Sequence, residues 1–314
     1  MAEIKLITCA GVEHDLALLP HFIAYYKALG IHTKNMYFIL QASESDSHEM
    51  KKAQAILHQD GITAAEIWIA PYTSATMWEK RREIQLCVAN KEDWVISADV
   101  DEFHEFPDKL SVFLSYCDKK EINCVQGVFI DRLTSDGSLA AIKASPPLWE
   151  QFPVQADVIC TIRQVEENGW ENGTVNIMAC KGDLLPERGG HFPLNHGSPI
   201  KYIFGSRQLA KFNGIKAATT RFQIPLRVHH FKWNQALLQS LQKRLATAGV
   251  STHGQSYGNL LLQHLGEDQR IQIEKMPIRK SGTLDKLPWR TQLALLKLRN
   301  DSSSLYRKIL SKIR

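Results

Sequence analysis

Apolar positions over the first hundred residues alternate between short continuous runs and helically spaced sets. Ile4, Leu6 and Ile7 open a buried strand over 3–9, and a polar turn over 10–15 follows it. Leu18, Leu19, Phe22, Ile23, Tyr26 and Leu29 then recur at helical spacing over 16–29, and Gly30 stops them. Residues 36–40 read as a second strand, 48–59 as a second helix ending at Asp60-Gly61, and 65–70 as a third strand closed by Pro71. Residues 76–90 read as a third helix and 94–98 as a fourth strand, with Asp99 at its end.

Strands alternating with helices predict an α/β fold with a parallel sheet covered by helices. Ligands bind beyond the carboxyl ends of such strands, where the turn at 10–15 and the acidic segment at 99–105 are expected. After residue 105 the pattern loosens. A short helix over 110–116 and an apolar strand over 124–129 lead to a polar, Gly- and Pro-rich stretch over 134–227. Such an irregular half suits an acceptor-binding surface. An amphipathic helix over 235–248 and a basic helical stretch from about 255 complete the chain.

The segment Trp94-Val95-Ile96-Ser97-Ala98-Asp99-Val100-Asp101-Glu102-Phe103 carries the most chemistry. If the strand continues, period-2 alternation puts Asp99 and Asp101 on one side. Two carboxylates so placed repel each other unless a cation lies near them. Their hard oxygens suit Mg²⁺ or Mn²⁺, which also bind phosphate oxygens and would neutralise a departing diphosphate. A solvated acidic turn after a strand would have the same spelling.

The Asp99-Val100-Asp101-Glu102-Phe103 run resembles the signature of family 2-like and family 92-like glycosyltransferases. The resemblance extends to Glu13, Leu18-Leu19-Pro20-His21-Phe22, Tyr25-Tyr26 and Leu29-Gly30-Ile31. It also takes in 126–132, Asp136-Gly137 and His229-His230-Phe231-Lys232-Trp233, and covers about residues 4–245. It implies a GT-A-type nucleotide-diphospho-sugar transferase fold, a nucleotide-diphosphate sugar donor, and Mn²⁺ or Mg²⁺. Asp99 would contact ribose or metal, Asp101 would be a direct ligand, and His229 or His230 would complete the site, with His229 favoured. These relatives carry an acidic residue just after the second strand. Here Gln41 takes that place, with Ser43 close by and Glu44 and Asp46 slightly later, so the base stays open and UDP is the default.

Other residues carry alternatives. Glu13 and Ser43 are candidate nucleotide contacts, although a carboxylate at a helix start is also favourable without a ligand. Lys80, followed by Arg81 and Arg82, is a candidate phosphate contact or part of a solvated helix face. A general base would be Asp131 or Glu150, with Asp157 and Glu187 as further candidates. Asp131-Arg132 also reads as a salt-bridged turn, and the aromatics around Glu150 as core. His191 and His196 lie in a Gly-rich loop that lines an acceptor cleft or is simply structural.

Six cysteines without CxxC spacing, and no apolar leader or transmembrane run, point to a reduced, cytoplasmic protein. Net charge is +5, but residues 271–314 hold eleven Lys/Arg against three Asp/Glu, leaving −3 for the first 270. The division expected is a transferase domain over 1–250, split into a nucleotide half (1–105) and an acceptor half (106–250), with a basic helical extension over 251–314. That extension suits peripheral contact with an anionic inner-membrane surface and a surface-glycan or lipid-linked acceptor. Nucleic-acid binding is not expected, because basic and aromatic residues form no recognised module. The rival readings are an aspartate-nucleophile phosphatase and a non-catalytic nucleotide-sugar or glycan-binding module.

Overall fold

The computed structural model describes residues 2–163, 171–194, 199–205, 208–246, 252–265 and 267–313. His196 therefore lies outside the described residues.

The first half is a run of strand–helix units: β1 (Ile4–Gly11), β2 (Met36–Ala42), β3 (Ala65–Ile69) and β4 (Trp94–Ser97). They alternate with α1 (Val12–Asp15), α2 (Leu19–Ala28), α3 (His48–Gln59) and α4 (Ser74–Val88). These strands pair in parallel in the order β3-β2-β1-β4. The helix boundaries have local causes. Ser47 Oγ accepts from Met50 N (3.1 Å) and Thr73 Oγ1 from Thr76 N (3.2 Å), capping free amides at the starts of α3 and α4. Gly30 at φ +95° and Gly61 at φ +71° supply the left-handed residues just beyond the ends of α2 and α3.

Strand alternation divides the core. Leu6, Ala10, Phe38, Leu40 and Ile96 pack with Phe22, Ile23 and Tyr26 of α2. Cys9 and Ile39 face the other way, onto Met77 and Trp78 of α4, together with Trp68. The segment at 10–15 differs from the expected polar turn: β1 runs to Gly11 and the one-turn helix α1 follows directly.

The second half extends the same sheet with mixed strand directions. It contains β5 (Glu102–Glu105), α5 (Leu110–Lys119), β6 (Cys124–Leu133), α6 (Leu148–Gln151), β7 (Val154–Ala156), α7 (Ile159–Ile162) and β8 (Val175–Lys181). Then come α8 (Ala218–Arg221) and β9 (Arg227–His230). The sheet order continues β4-β8-β6-β9-β5, with β7 on β6. β8 is antiparallel to both β4 and β6, β9 is parallel to β6, and β5 is antiparallel to β9. A parallel half followed by a mixed half, with helices on its faces, is the α/β class expected from the sequence.

The C-terminal part holds α9 (Ala236–Ala246), α10 (Thr252–Leu265) and α11 (Trp289–Ile313). Leu261, Leu265, Ile271 and Met276 share a second apolar cluster with Leu133, Val158, Ile159, Trp233 and Leu237, so this part packs back on the domain. Leu293 and Leu296 of α11 join the main core.

Candidate functional site

The acidic motif is not on an extended strand. β4 ends at Ser97, and Glu102 N donates to Asp99 O (2.9 Å), so residues 99–102 form a tight turn that leads into β5. The alternation expected to align Asp99 with Asp101 is replaced by this turn, which sends their side chains to different partners. Asp99, with its side chain 45% exposed, accepts from Arg81 NH2 through Oδ1 at 2.6 Å. Arg81 is buried and also donates to Ala98 O (3.2 Å) and Ser97 Oγ (3.4 Å), fixing the turn from behind. Asp101 points instead at His230, with Oδ2 3.3 Å from Nε2.

The two late histidines divide by strand parity. His230 is the register partner of Asp131 on β6 and of Glu102 on β5, and shares their face. Its Nδ1 lies 3.1 Å from Asp131 Oδ1. His229 faces the opposite side, where Nε2 meets Glu105 Oε2 at 2.6 Å and the ring packs edge-on against Trp149. The preference for His229 is therefore corrected. His229 and Phe231 share one parity, and Trp149 touches both beneath the sheet. His230 is the histidine that the structure brings to Asp101.

Asp131 is corrected from base to anchor. It is buried, and every one of its contacts is a donor: Val158 N and Ile159 N (both 2.8 Å) on Oδ2, Trp233 Nε1 (2.9 Å) and His230 Nδ1 on Oδ1. A carboxylate so saturated holds an imidazole; it does not meet a substrate hydroxyl. Glu150 is exposed on α6, and its aromatic neighbour Trp149 packs with Tyr25, Phe103 and Phe231, away from the Asp101 face. Those aromatics are core, so Glu150 is corrected too. Asp157 is buried in an ion pair with Arg221.

Lys80 pairs with Glu66 of β3, and Arg81 is the cation of that trio which reaches the acidic turn. The signal lay in the helix period: Trp78, Arg81 and Gln85 share the buried face of α4. Glu13 and Ser43 do come together. Glu13 Oε1 accepts from Ser43 N (3.0 Å), while Lys243 of α9 pairs with Glu13 and donates to Ser43 Oγ (2.9 Å). Burial alone would raise the Glu13 carboxyl; its bonds to Lys243 and Ser43 outweigh this and hold it down at about 2.

Sequence reading missed Asp15 at the end of α1. Its Oδ2 accepts from Gly11 N at 2.8 Å. Burial, together with the charge of Asp101, pushes its carboxyl up to about 7. Glu102, which accepts from Asn176 Nδ2 (2.9 Å), is pushed up to about 8 by burial and by the charges of Asp99 and Asp101. Burial would raise Asp101 as well, but the adjacent His230 overturns this and holds it at about 2. His230 in turn rises well above its usual range: burial opposes its charge, and Asp101 and Asp131 override that. The site thus gathers Asp15, Asp99, Asp101 and Glu102 against Arg81, His230 and Lys232, and burial first, then the neighbouring carboxylate charge, raises Asp15 and Glu102. Among the described residues, no three His, Cys, Asp or Glu side chains converge closely enough to enclose a metal by themselves.

A loop over 186–193 closes one wall. A Cβ at Gly190 would lie 2.7 Å from Asn176 Oδ1 and 2.8 Å from the Trp78 ring, so this loop abuts the residue that bonds Glu102. The loop carries Glu187, a half-buried carboxyl raised by burial, and His191, whose Nδ1 lies 2.8 Å from Val175 O.

No protein-family model matches the chain, and no curated protein matches it. Among solved structures it is similar to S. aureus TarS. The crystal structure of TarS 1-349 shares 7% identity at a TM-score of 0.32, covering 85% of this chain and 73% of that one. A second crystal structure of S. aureus TarS shares 8% identity at a TM-score of 0.30, covering 87% of this chain and 44% of that one.

Proposed function

We propose that the chain is a metal-dependent glycosyltransferase that moves a sugar from a nucleotide-diphosphate donor to a hydroxyl acceptor. The observation that carries this reading is the acidic turn at the carboxyl end of β4. There Asp101 faces a histidine oriented by Asp131, and burial, with the nearby carboxylate charge, raises Asp15 and Glu102. Sheets of this class hold ligands at that end.

The donor set fits Mn²⁺ or Mg²⁺ on a diphosphate. Mg²⁺ is usually held by one or two carboxylates plus substrate phosphates rather than by an all-protein cage. Asp101, with Asp99 beside it, offers those oxygens. His230 would offer Nε2 once the cation displaces its proton, its ring fixed by the Asp131 carboxylate in the manner of outer-shell partners. Such a cation, when bound, would neutralise charge on the leaving diphosphate. Arg81 holds Asp99 and shapes the turn, while Glu13, Ser43 and Lys243 form a polar rim beside the first strand–helix turn, where the nucleoside would lie.

Glu187 would take the proton of the acceptor hydroxyl. It is the half-buried acid on the loop against the site, and burial raises its carboxyl. UDP is the default nucleotide, and a surface or lipid-linked glycan the default acceptor. The phosphatase alternative places its acidic motif on the first strand, whereas here three strand–helix units precede Asp99.

The test is release of nucleoside diphosphate from a panel of sugar nucleotides, with and without Mn²⁺. Release should require the cation, vanish in Asp101→Asn and persist in Glu150→Gln. Cation-dependent binding without any release would favour the non-catalytic module.

A further inference from the structure

α5 and α11 pack through Trp289, whose ring lies 5.7 Å from Phe113 and 5.0 Å from Tyr116, and whose Nε1 donates to Asp108 Oδ2 at 2.9 Å. Beside this contact runs an open groove of about 550 Å³, lined by Lys119, Lys120, Arg290, Tyr116, Val112 and two serines. The Arg290 guanidinium lies 5.6 Å from the Tyr116 ring and 5.1 Å from the Trp289 ring, which sets it at the groove wall.

The positive charge here is uncompensated. The acids flanking Lys119 and Lys120 are engaged elsewhere: Asp118 with Lys181 at 2.7 Å and Glu121 with Lys201 at 2.6 Å. Among the described residues, no carboxylate pairs with Lys119, Lys120, Arg290 or Lys297.

The same two helices also expose apolar side chains. Leu293 and Leu296 bury the inner side of α11, while Leu295 (43%) and Leu298 (66%) stand exposed on its other side. On α5, Phe113, Leu114 and Cys117 are buried and Val112 is exposed at 41%. Leu298 lies about 12 Å along the helix from Arg290, at 1.5 Å per residue. Exposed aliphatics interspersed with unpaired cations complement a surface that is anionic outside and apolar just beneath. No described helix is long and apolar enough to cross a membrane, so the contact lies in the plane.

We propose that this face of α5 and α11 docks on an anionic lipid bilayer, with Lys119, Lys120, Arg290 and Lys297 on the phosphate headgroups and Val112, Leu295 and Leu298 in the headgroup–acyl boundary. The inference rests on this surface alone and holds whichever reaction the Asp101 site performs.

The test is sedimentation of the full chain with phosphatidylglycerol–phosphatidylcholine vesicles and with pure phosphatidylcholine vesicles. Binding should appear with the anionic vesicles only and weaken as salt is raised. Each cation removed should weaken partitioning roughly fivefold. Lys119→Glu/Arg290→Glu should therefore cost well over tenfold, while Leu295→Ser/Leu298→Ser should weaken binding and keep its salt dependence. All four positions are exposed, and a thermal melt matching the parent confirms that each variant folds; Lys297→Glu serves as a second charge variant. Glycerol phosphate and inorganic phosphate should not displace the protein. Displacement by either would identify a pocket for a soluble phosphate and overturn the proposal. So would equal binding to neutral vesicles, or charge variants that partition like the parent.

Discussion

Asp131 and His230 stand side by side across the parallel pair β6–β9, Oδ1 to Nδ1 at 3.1 Å, and the same carboxylate accepts from Trp233 and two backbone amides. Removing one partner of a buried, hydrogen-bonded charge pair costs about 3–5 kcal/mol. Asp131→Asn should therefore lower stability to urea by that order. In whatever folds, metal-supported nucleotide affinity should fall about 10–100-fold, as for other outer-shell substitutions. Unchanged stability would show that the carboxylate is not the anchor described here.

The two histidines should separate by readout. His230→Gln should abolish the dependence of nucleotide binding on the cation. His229→Gln breaks the contact with Glu105 on the far face and should lower the melting temperature while leaving nucleotide affinity near that of the parent. Calorimetric titration of both variants checks this, and a reversed pattern would return His229 to the site.

Acid should destabilise the fold through His104. Its ring is fully buried, Nδ1 lies 3.2 Å from Met178 O, and Nε2 has no hydrogen-bond partner. Burial depresses it from 6.5 to about 3. Between those values the unfolded chain binds a proton that the folded chain refuses, so this contribution is complete above pH 6.5 and is lost as pH falls towards 3. Urea midpoints measured across that range should drop less steeply in His104→Phe than in the parent. Parallel slopes would sink the assignment.

Gly137 sits at φ +78°, and a Cβ there would lie 2.0 Å from Ile271 O; Ile271 N also donates to Gly137 O at 2.9 Å. Gly137→Ala must push the 270s away and should cost about 1–3 kcal/mol from overpacking, plus the strain of a left-handed alanine. Gly61→Ala, at φ +71° with nothing within 4 Å, carries the strain alone and should cost less. Equal losses on chemical denaturation would argue against the close approach.

The parallel half was legible because its signals are local. Apolar runs mark β1, β2 and β4, and Ser47, Thr73, Gly30 and Gly61 punctuate the helices. β5 and β9 were not legible as strands. Glu102-Phe103-His104-Glu105 and Arg227-Val228-His229-His230 are rich in charge, and they are buried because they pair with one another, as Glu105 does with His229 and Arg227. A reading that counts apolar residues sees only polar loop there. The Lys243 clamp on Glu13 spans 230 residues and leaves no local trace. By contrast, the parity of Phe231 with His229 was present in the sequence and pointed to His230 as the member on the other face. The acidic turn was legible in composition but not in shape, since its geometry comes from the Glu102 N–Asp99 O bond and from Arg81 behind it.

The most direct test is a thermal melt with UDP and other nucleoside diphosphates, each with and without Mn²⁺, on the parent and on Asp101→Asn. A ligand at 100 times its dissociation constant stabilises the folded state by about 2.7 kcal/mol, enough to move the transition visibly. The parent should shift only when nucleotide and cation are present together, and Asp101→Asn should not shift. A nucleotide shift that needs no cation, or one that Asp101→Asn retains, would contradict a metal–diphosphate site at the end of β4.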